Sequence, residues 1–386
     1  MRKMKNKVLF CATVDYHFTV FHIPIIKWFK DIGWEVHVAA NGDIEIPYVD
    51  YKYNIPIQRS PFHLNNIKAF KELKKIINQN NYQIIHSHTP MGGIIARFAA
   101  LKARKIGTKV IYTAHGFHFC KGAPLLNWIV YYPIEKVMAN YTDCLIVINH
   151  EDYDLSKQRF KAKQIEHVHG VGIDTEDFKP VNENKKMDLK KSFGYQPDDF
   201  LLFYAAEFNK NKNQQFLLHS IALIKDELPN VKLLLAGEGP LLNQCKQLTI
   251  SLEISHMVEF LGYRKDIKQI LPMCDIVVAS SLREGLPVNI MEAMACGLPI
   301  VAVENRGHRE LIHNNRNGWI VDKHDYEDFS NRVKTLATME VLKHQFGLSG
   351  REMIIQKYSI DKVLIELSRI YTSHMIETED AKWAFL

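Results

Sequence analysis

The sequence predicts an α/β protein made of two doubly wound parallel-sheet domains, and three observations carry that expectation. Short apolar runs alternate with helical patterns through residues 8–170. The alternation then stops in a polar stretch. It restarts near residue 200 and continues to about residue 303. With 386 residues and 47% hydrophobic content, the chain suits two or three domains with full-sized cores.

In the first half the order is VLFCATV (8–14), a helical pattern at 21–32, EVHVAA (35–40), a helix at 65–78, IIHSH (84–88) and a helix at 92–105. It continues through VIYTAH (110–115), a helix at 125–140, CLIVIN (144–149) and IEHVHG (165–170). Strands that alternate with helices make βαβ units, hence a parallel sheet covered on both faces. The stretch IDTEDFKPVNENKKMDLKKSFGYQPDD (173–199) contains Pro180 and Pro197, has no long apolar run, and reads as an interdomain connection. The alternation resumes with FLLFYAA (200–206), VKLLLAG (231–237), VEFLG (258–262), IVVAS (276–280) and PIVAV (299–303). Helical patterns at 214–225, 241–252, 267–273 and 289–295 separate these runs. After WIVDKHDYEDF, helices are expected to the C-terminus. The expected boundaries are 1–175, a linker at 176–197, a second domain at 198–358, and a terminal helix within 359–386 that packs at the domain junction.

Composition excludes several classes. The basic opening before the apolar run from Val8 to Val14 imitates a signal peptide, but the run is short and Asp15 and His17 end it. No apolar stretch approaches the roughly 18 residues of a spanning helix. A cytoplasmic protein is expected, held at most peripherally at the inner face of the cell membrane. The six cysteines stand singly, with no C-x-x-C pair, and are expected to be reduced and buried. Net charge is +6, and about 24 Lys+Arg face about 16 Asp+Glu through Pro180, so the first half carries the basic excess. That bias suits an anionic partner; no nucleic-acid module accompanies it, so nucleic acid is not expected. The first strand leads into ATVDYHF without the glycines of a pyrophosphate turn, which argues against a dinucleotide oxidoreductase.

Open α/β sheets bind ligands outside the carboxyl ends of their strands. Residues 281–299, SLREGLPVNIMEAMACGLP, follow the strand IVVAS and therefore lie at such an end. They place Glu284 in a loop and Glu292 in the first turn of the following helix. The loop breaks the helical period, so the two carboxylates can reach different parts of one extended ligand. Gly285 permits close backbone approach, and a helix start favours phosphate or hydroxyl oxygen. Read alone, Asn289-x-x-Glu292 also fits a capping box, and Glu284 beside Arg283 also fits a solvated surface charge.

SLREGLPVNIMEAMACGLPIVA resembles the E-x7-E region of family 4 glycosyltransferases, which are retaining enzymes of GT-B fold. The strand, both glutamates, Gly-Leu-Pro, Glu-Ala-Met and Gly-x-Pro occur in order. HGVGIDTEDFKP (169–180) resembles the family's entry to its second domain, AGEGP (236–240) its glycine turn, and TAHGF (113–117) its first-domain histidine loop. The resemblance spans nearly the whole chain. FCATVDYHF, HGFHF and AEFNKNKNQ liken it to bacterial exopolysaccharide and capsule transferases. It implies two Rossmann-like domains facing a central cleft, with the acceptor on the first and the donor on the second.

The resemblance also implies roles. Glu292 would bind the ribose hydroxyls, while Glu284 and the backbone of Gly285, Leu286, Pro287 and Val288 would hold the donor sugar. Lys212, which alone in NKNKN reads as solvated, matches the lysine that neutralises the departing diphosphate. His115 matches the histidine near the reacting carbon. Asp15, Tyr16 and His17 stand where relatives often carry a glycine-rich loop; they are assigned to the acceptor, with His17 or Asp15 as a proton acceptor. The implied chemistry is front-face transfer without a covalent nucleophile. No cofactor and no metal are expected, and a UDP-sugar is the favoured substrate. One position departs from the family, which usually shows Gly-Arg where this chain has Ala206 and Glu207. Lys210, Arg264 or a basic residue of the other domain are the candidates to replace that arginine. Asp152-Tyr153-Asp154 matches the D-x-D metal motif of the other glycosyltransferase fold, but after Asn149 it reads as a capped helix start.

The predicted activity is transfer of a hexose or N-acetylhexosamine to a sugar acceptor, such as one linked to undecaprenyl diphosphate, in exopolysaccharide or capsule synthesis. A nucleotide-sugar epimerase on the same fold, and a catalytically silent nucleotide-sugar-binding subunit, are the alternatives. LLNWIVYYPIEKVMANY (125–141) mixes aromatic and aliphatic residues; it is read as a core helix kinked at Pro133, although an interfacial helix shows the same mixture. Contact of the basic first domain with anionic membrane is expected on charge.

Overall fold

In the computed structural model, which describes residues 6–375, every strand pair is parallel. The first sheet contains β1 (Lys7–Val14), β2 (Glu35–Asn41), β3 (Tyr51–Asn54), β4 (Ile84–His88), β5 (Lys109–Ala114), β6 (Cys144–Val147) and β7 (Gln164–His167). Their order is β3-β2-β1-β4-β5-β6-β7. The second contains β8 (Phe200–Ala205), β9 (Val231–Ala236), β10 (Val258–Gly262), β11 (Ile276–Ala279), β12 (Ile300–Val303) and β13 (Gly318–Val321), in the order β10-β9-β8-β11-β12-β13. Both are doubly wound: the order reverses at β1/β4 and at β8/β11, and functional loops gather at such switch points.

The strands read as continuous apolar runs because both faces of a parallel sheet are covered. Val8, Phe10 and Ala12 pack on one face with Phe18, Ile26 and Phe29, while Leu9 and Cys11 pack on the other with Leu73, Ile95 and Ala96. In the second sheet Leu201, Leu233, Val278 and Ile300 are fully buried. The six cysteines are free and buried.

The chain forms two compact units. One runs to Gly172 and resumes at Ile360; the other is Ile173–Ser359. The polar stretch read as a connection belongs within the second unit. Asn182 caps the helix Glu183–Ser192 by accepting from the Lys185 N–H. That helix is tied down by charge: Lys186 and Lys190 reach the two carboxylate oxygens of buried Asp275 at 2.6 and 3.2 Å, and the Leu201 N–H donates to the same group. Burial opposes ionisation of Asp275, but the two ammonium groups outweigh it and hold its carboxyl below the ordinary range.

The last described helix, Ile360–His374, is part of the first unit. Val363, Ile370 and Tyr371 lie in the same core as Phe10 and Phe29. Tyr371 also shares a hydrogen bond with His86 at 2.5 Å. The remainder of the expected 359–386 segment, beyond residue 375, lies outside the described residues. Among those described, no helix is long and apolar enough to cross a membrane.

Candidate active site

In the second unit, the turn after β11 carries Glu284, and the turn after β8 carries Lys212. The two side chains meet, with Lys212 Nζ 2.6 Å from Glu284 Oε1. Their loops are laced together by hydrogen bonds to backbone carbonyls. The Leu282 N–H donates to the Asn211 carbonyl at 2.8 Å, Asn211 Nδ2 donates to the Arg283 carbonyl at 3.0 Å, and Ser280 Oγ donates to the Lys212 carbonyl at 2.7 Å. Beneath them Tyr204 and Ser281 share a buried hydroxyl pair at 2.6 Å. The ion pair is thus held by a fixed frame rather than by two free side chains.

Glu292 lies in the helix Val288–Ala295, past its first turn, and no capping box forms. The helix has no side-chain cap; Asn289 instead accepts from the Ile290 N–H and donates to the Ala205 carbonyl at the end of β8. Burial alone pushes the Glu292 carboxyl up to about 7. Gly285 does not use the left-handed region. The close approach comes from Gly307, where a Cβ would lie 2.8 Å from Glu284 Cβ and 3.1 Å from the Gly285 carbonyl oxygen.

Sequence reasoning missed the group that grips this loop from below. After β12, Asn305 caps the helix Arg306–Leu311 and donates to the Ser281 carbonyl at 2.7 Å, while Arg306 Nε donates to the Glu284 carbonyl at 3.0 Å. ENRGHREL, a polar helix start after a buried strand, repeats the grammar of the 281–292 stretch and was the signal available.

In the first unit the carboxyl ends of β1, β4 and β5 bring His17, His88 and His115 together with His22. His88 Nδ1 lies 3.3 Å from His115 Nε2, and the His17 and His115 rings are 5.1 Å apart. The expected acceptor trio does not behave as one group. Asp15 is buried, 2.6 Å from Lys52 Nζ, and accepts from the Ile44 N–H at 2.7 Å. Burial resists ionisation, but these partners prevail and hold the Asp15 carboxyl below the ordinary range. A carboxylate so engaged anchors the turn and is a poor proton acceptor. Tyr16 is exposed and accepts from Arg59 Nη2 at 3.1 Å; Tyr16, His17 and Arg59 line one cavity of about 290 Å³. His86 has a structural place, bonded to both Tyr371 and Thr113.

Comparison with known proteins follows the same division. Residues 7–149 match the family described as glycosyl transferase 4-like, and residues 185–353 match glycosyl transferases group 1. The chain is 47% identical over 374 residues to EpsD of Bacillus subtilis, which is named as a glycosyltransferase; the alignment covers 96% of this chain and 98% of that one. This chain is a family 4 glycosyltransferase. The enzyme is also 27% identical, over 81% of each chain, to the Escherichia coli UDP-Gal:α-D-GlcNAc-diphosphoundecaprenol α-1,3-galactosyltransferase. Among solved structures, HepE of Anabaena in complex with UDP-glucose superposes with a TM-score of 0.79 at 18% identity, covering 95% of this chain and 99% of that one, which establishes the GT-B fold.

Two further sequence motifs of the glycosyltransferase are resolved by its contacts. The D-x-D acids serve a helix start: Asn149 accepts from the Asp152 N–H, and Asp152 Oδ2 accepts from the Phe117 N–H at 3.0 Å, which pins the loop after His115. Glu207 is exposed and bonded to Asn209 at 3.0 Å, and it shares a cavity of about 390 Å³ with Arg264, itself paired with Asp266. Lys210 does not line that cavity.

The helix Leu125–Ala139 fits its reading as core on one face only, where Trp128, Tyr131 and Tyr132 pack against the cluster of Phe117, Phe119 and Leu145. Only Glu135, Met138 and Ala139 are buried, while Leu125, Leu126, Ile129, Val130, Ile134 and Val137 are exposed, Leu125 by 74%. Pro133 does not end the helix. Nearby, Phe62 (90% exposed), Leu64, Ile67 and Phe98 line an open apolar groove of about 670 Å³ edged by Lys74, Lys102 and Lys105.

Proposed function

We propose that the enzyme transfers a hexosyl group from a UDP-sugar, with retention, to a hydroxyl of a lipid-diphosphate-linked sugar acceptor. The observation that carries this reading is the framed Lys212–Glu284 pair at 2.6 Å, which offers one cation and one carboxylate at the carboxyl edge of the second sheet. In this reading Lys212 stabilises charge that accumulates on the leaving diphosphate, so its effect falls on the transition state. Glu284 accepts hydrogen bonds from vicinal sugar hydroxyls, joined by the N–H groups near Gly285 and Leu286. Glu292 takes the ribose hydroxyls, and Arg264, through the cavity it shares with Glu207, is the favoured replacement for the missing arginine. His115 stands near the reacting carbon and His17 on the acceptor side, with a leaving-group oxygen assisting deprotonation of the attacking hydroxyl. The E. coli relative, named for a UDP-Gal donor and a diphosphoundecaprenol-linked acceptor, supports the donor and acceptor classes of this reading.

The acceptor and the membrane belong to the same reading. The apolar face of the Leu125–Ala139 helix and the lysine-edged groove suit an amphipathic surface that sinks into an anionic bilayer, where a lipid-linked acceptor resides.

The test is transfer from a panel of UDP-, GDP- and ADP-sugars to a short-chain lipid-diphosphate sugar, with the anomeric configuration of product and donor compared by NMR. Lys212→Ala should lower kcat by roughly 100-fold or more, as loss of a transition-state stabiliser does. Inversion at C2 of the donor without acceptor would replace the proposal with epimerisation. Donor binding without turnover on every acceptor would reduce the chain to a binding subunit.

A further inference from the structure

Four histidines from separate stretches converge at the carboxyl edge of the first sheet. His17 and His22 follow β1, His88 ends β4 and His115 follows β5. One ring nitrogen can be taken from each so that all four lie within 4.8 Å of one another. Among the described residues, Nε2 of His17, His22 and His88 is buried without a hydrogen-bond partner. Native interiors leave only a few such atoms unpaired per hundred residues, and three gathered in one cluster point to a shared partner. His86, next to them, shows the contrast: both its nitrogens are bonded, to Tyr371 and Thr113.

We infer that His17, His22, His88 and His115 form a binding site for one divalent transition-metal ion of the zinc class. Geometry supports this. A tetrahedral ion with metal–nitrogen bonds of about 2.0–2.1 Å sets its ligand nitrogens roughly 3.3–3.4 Å apart. His88 Nδ1 and His115 Nε2 already stand at 3.3 Å, and the four chosen ring nitrogens span no more than 4.8 Å, so binding draws the remaining pairs closer by up to about 1.5 Å. An all-imidazole set without a carboxylate selects Zn²⁺, Co²⁺ or Cu²⁺ over the oxygen-seeking Mg²⁺ and Ca²⁺. Burial holds all four rings below the ordinary histidine value, so they are neutral at physiological pH and can offer lone pairs. Entry is available at His17, which lines the cavity of about 290 Å³, while the other three line a small one of about 30 Å³. This site revises the expectation that the chain binds no metal. It goes beyond the sugar-transfer reading, and its occupancy is measured without any sugar substrate.

The experiment uses the full chain, free of any affinity tag and stripped by chelator, titrated with Co²⁺ while visible absorption is recorded, with Zn²⁺ as competitor and Mg²⁺ as control. The expected result is one Co²⁺ per chain, the intense d–d bands of a four- or five-coordinate ion, displacement by Zn²⁺ and indifference to Mg²⁺. His17→Gln, at a half-buried position, and His22→Gln should each weaken binding by about 100-fold or more, since loss of even an outer-shell partner costs about 10–100-fold. His150→Gln should leave binding unchanged. Absence of stoichiometric Co²⁺ binding, or weak bands of an octahedral surface-bound ion, would overturn the inference in the unmodified protein, whatever the variants do to folding. Equal affinity in His17→Gln and His22→Gln would overturn it as well.

Discussion

Glu292 has the carboxylate whose chemistry departs most from its ordinary value among those near the 281–292 stretch. Burial pushes it from 4.5 up to about 7, so between those values the folded chain keeps a proton that the unfolded chain releases. Stability contributed by this group is present in full below pH 4.5 and falls as pH rises to about 7, by at most about 3 kcal/mol. Glu292→Gln removes that dependence. Urea melts should show the variant gaining stability over the parent between pH 5 and pH 8, and donor KM should rise in the same variant; parallel pH profiles would refute the assignment of the burden to Glu292. Gly307 is the second residue on which the site turns. In Gly307→Ala the new methyl meets Glu284 Cβ at 2.8 Å and must displace the loop. A shift approaching 1 Å at a positioning group lowers kcat/KM on the order of 100-fold, and steady-state kinetics with the fold checked by circular dichroism will read it. Neither Gly307 nor Arg306 was legible in the sequence, because their importance lies in touching a loop more than twenty residues away. Glu284 and Lys212 were singled out only through family resemblance. Their residue types alone read as surface charge.

Single helices were the hardest elements to place. The pattern LLNWIVYYPIEKVMA announces a helix, and one forms, yet it does not announce which way the apolar face turns. Only packing decides that, and here the buried positions are Glu135, Met138 and Ala139. Glu135 is buried because Arg97, 1% exposed, lies 3.0 Å away and stacks over Tyr112; a buried pair of this kind orients the helix that carries it. The aliphatic side chains are thereby left outward. Leu126→Asp with Ile129→Asp is expected to shift the thermal midpoint little, since both positions are exposed, and to abolish co-sedimentation with phosphatidylglycerol vesicles at low salt. Undiminished vesicle binding by the double variant, with the parent bound, would exclude this helix as the membrane contact. The misread connection at 173–199 has a related cause. Its lysines look solvated in sequence, and Asp275, which draws two of them inward, stands about 85 residues further on.

Across the whole molecule, the alternation of apolar runs and helical patterns was enough to announce two parallel sheets, because period and length are local properties. The edge strand β3, only Tyr51–Asn54 and partly exposed, was not anticipated, since a short edge strand lacks the buried run that marks its neighbours. The histidine cluster was equally hidden, since its members are separated by up to 98 positions and meet only through the order β1-β4-β5. Membership of the terminal helix in the first unit has a measurable consequence. A chain ending at Ser359 loses Val363, Ile370 and Tyr371 from that core, and deleting three such side chains removes several kcal/mol, comparable to the stability of a domain. Calorimetry of the shortened chain should lose the first unit's transition and keep the second's. Two unaltered transitions would show that the helix is dispensable.

The order of synthesis gives that arrangement a further meaning. A ribosome delivers all of β1 to β7 early, but the side chains that complete their packing emerge only after Ile173–Ser359 has been made. The half of the enzyme that begins first is therefore finished last, and its exposed sheet must await the tail of its own polypeptide before it closes.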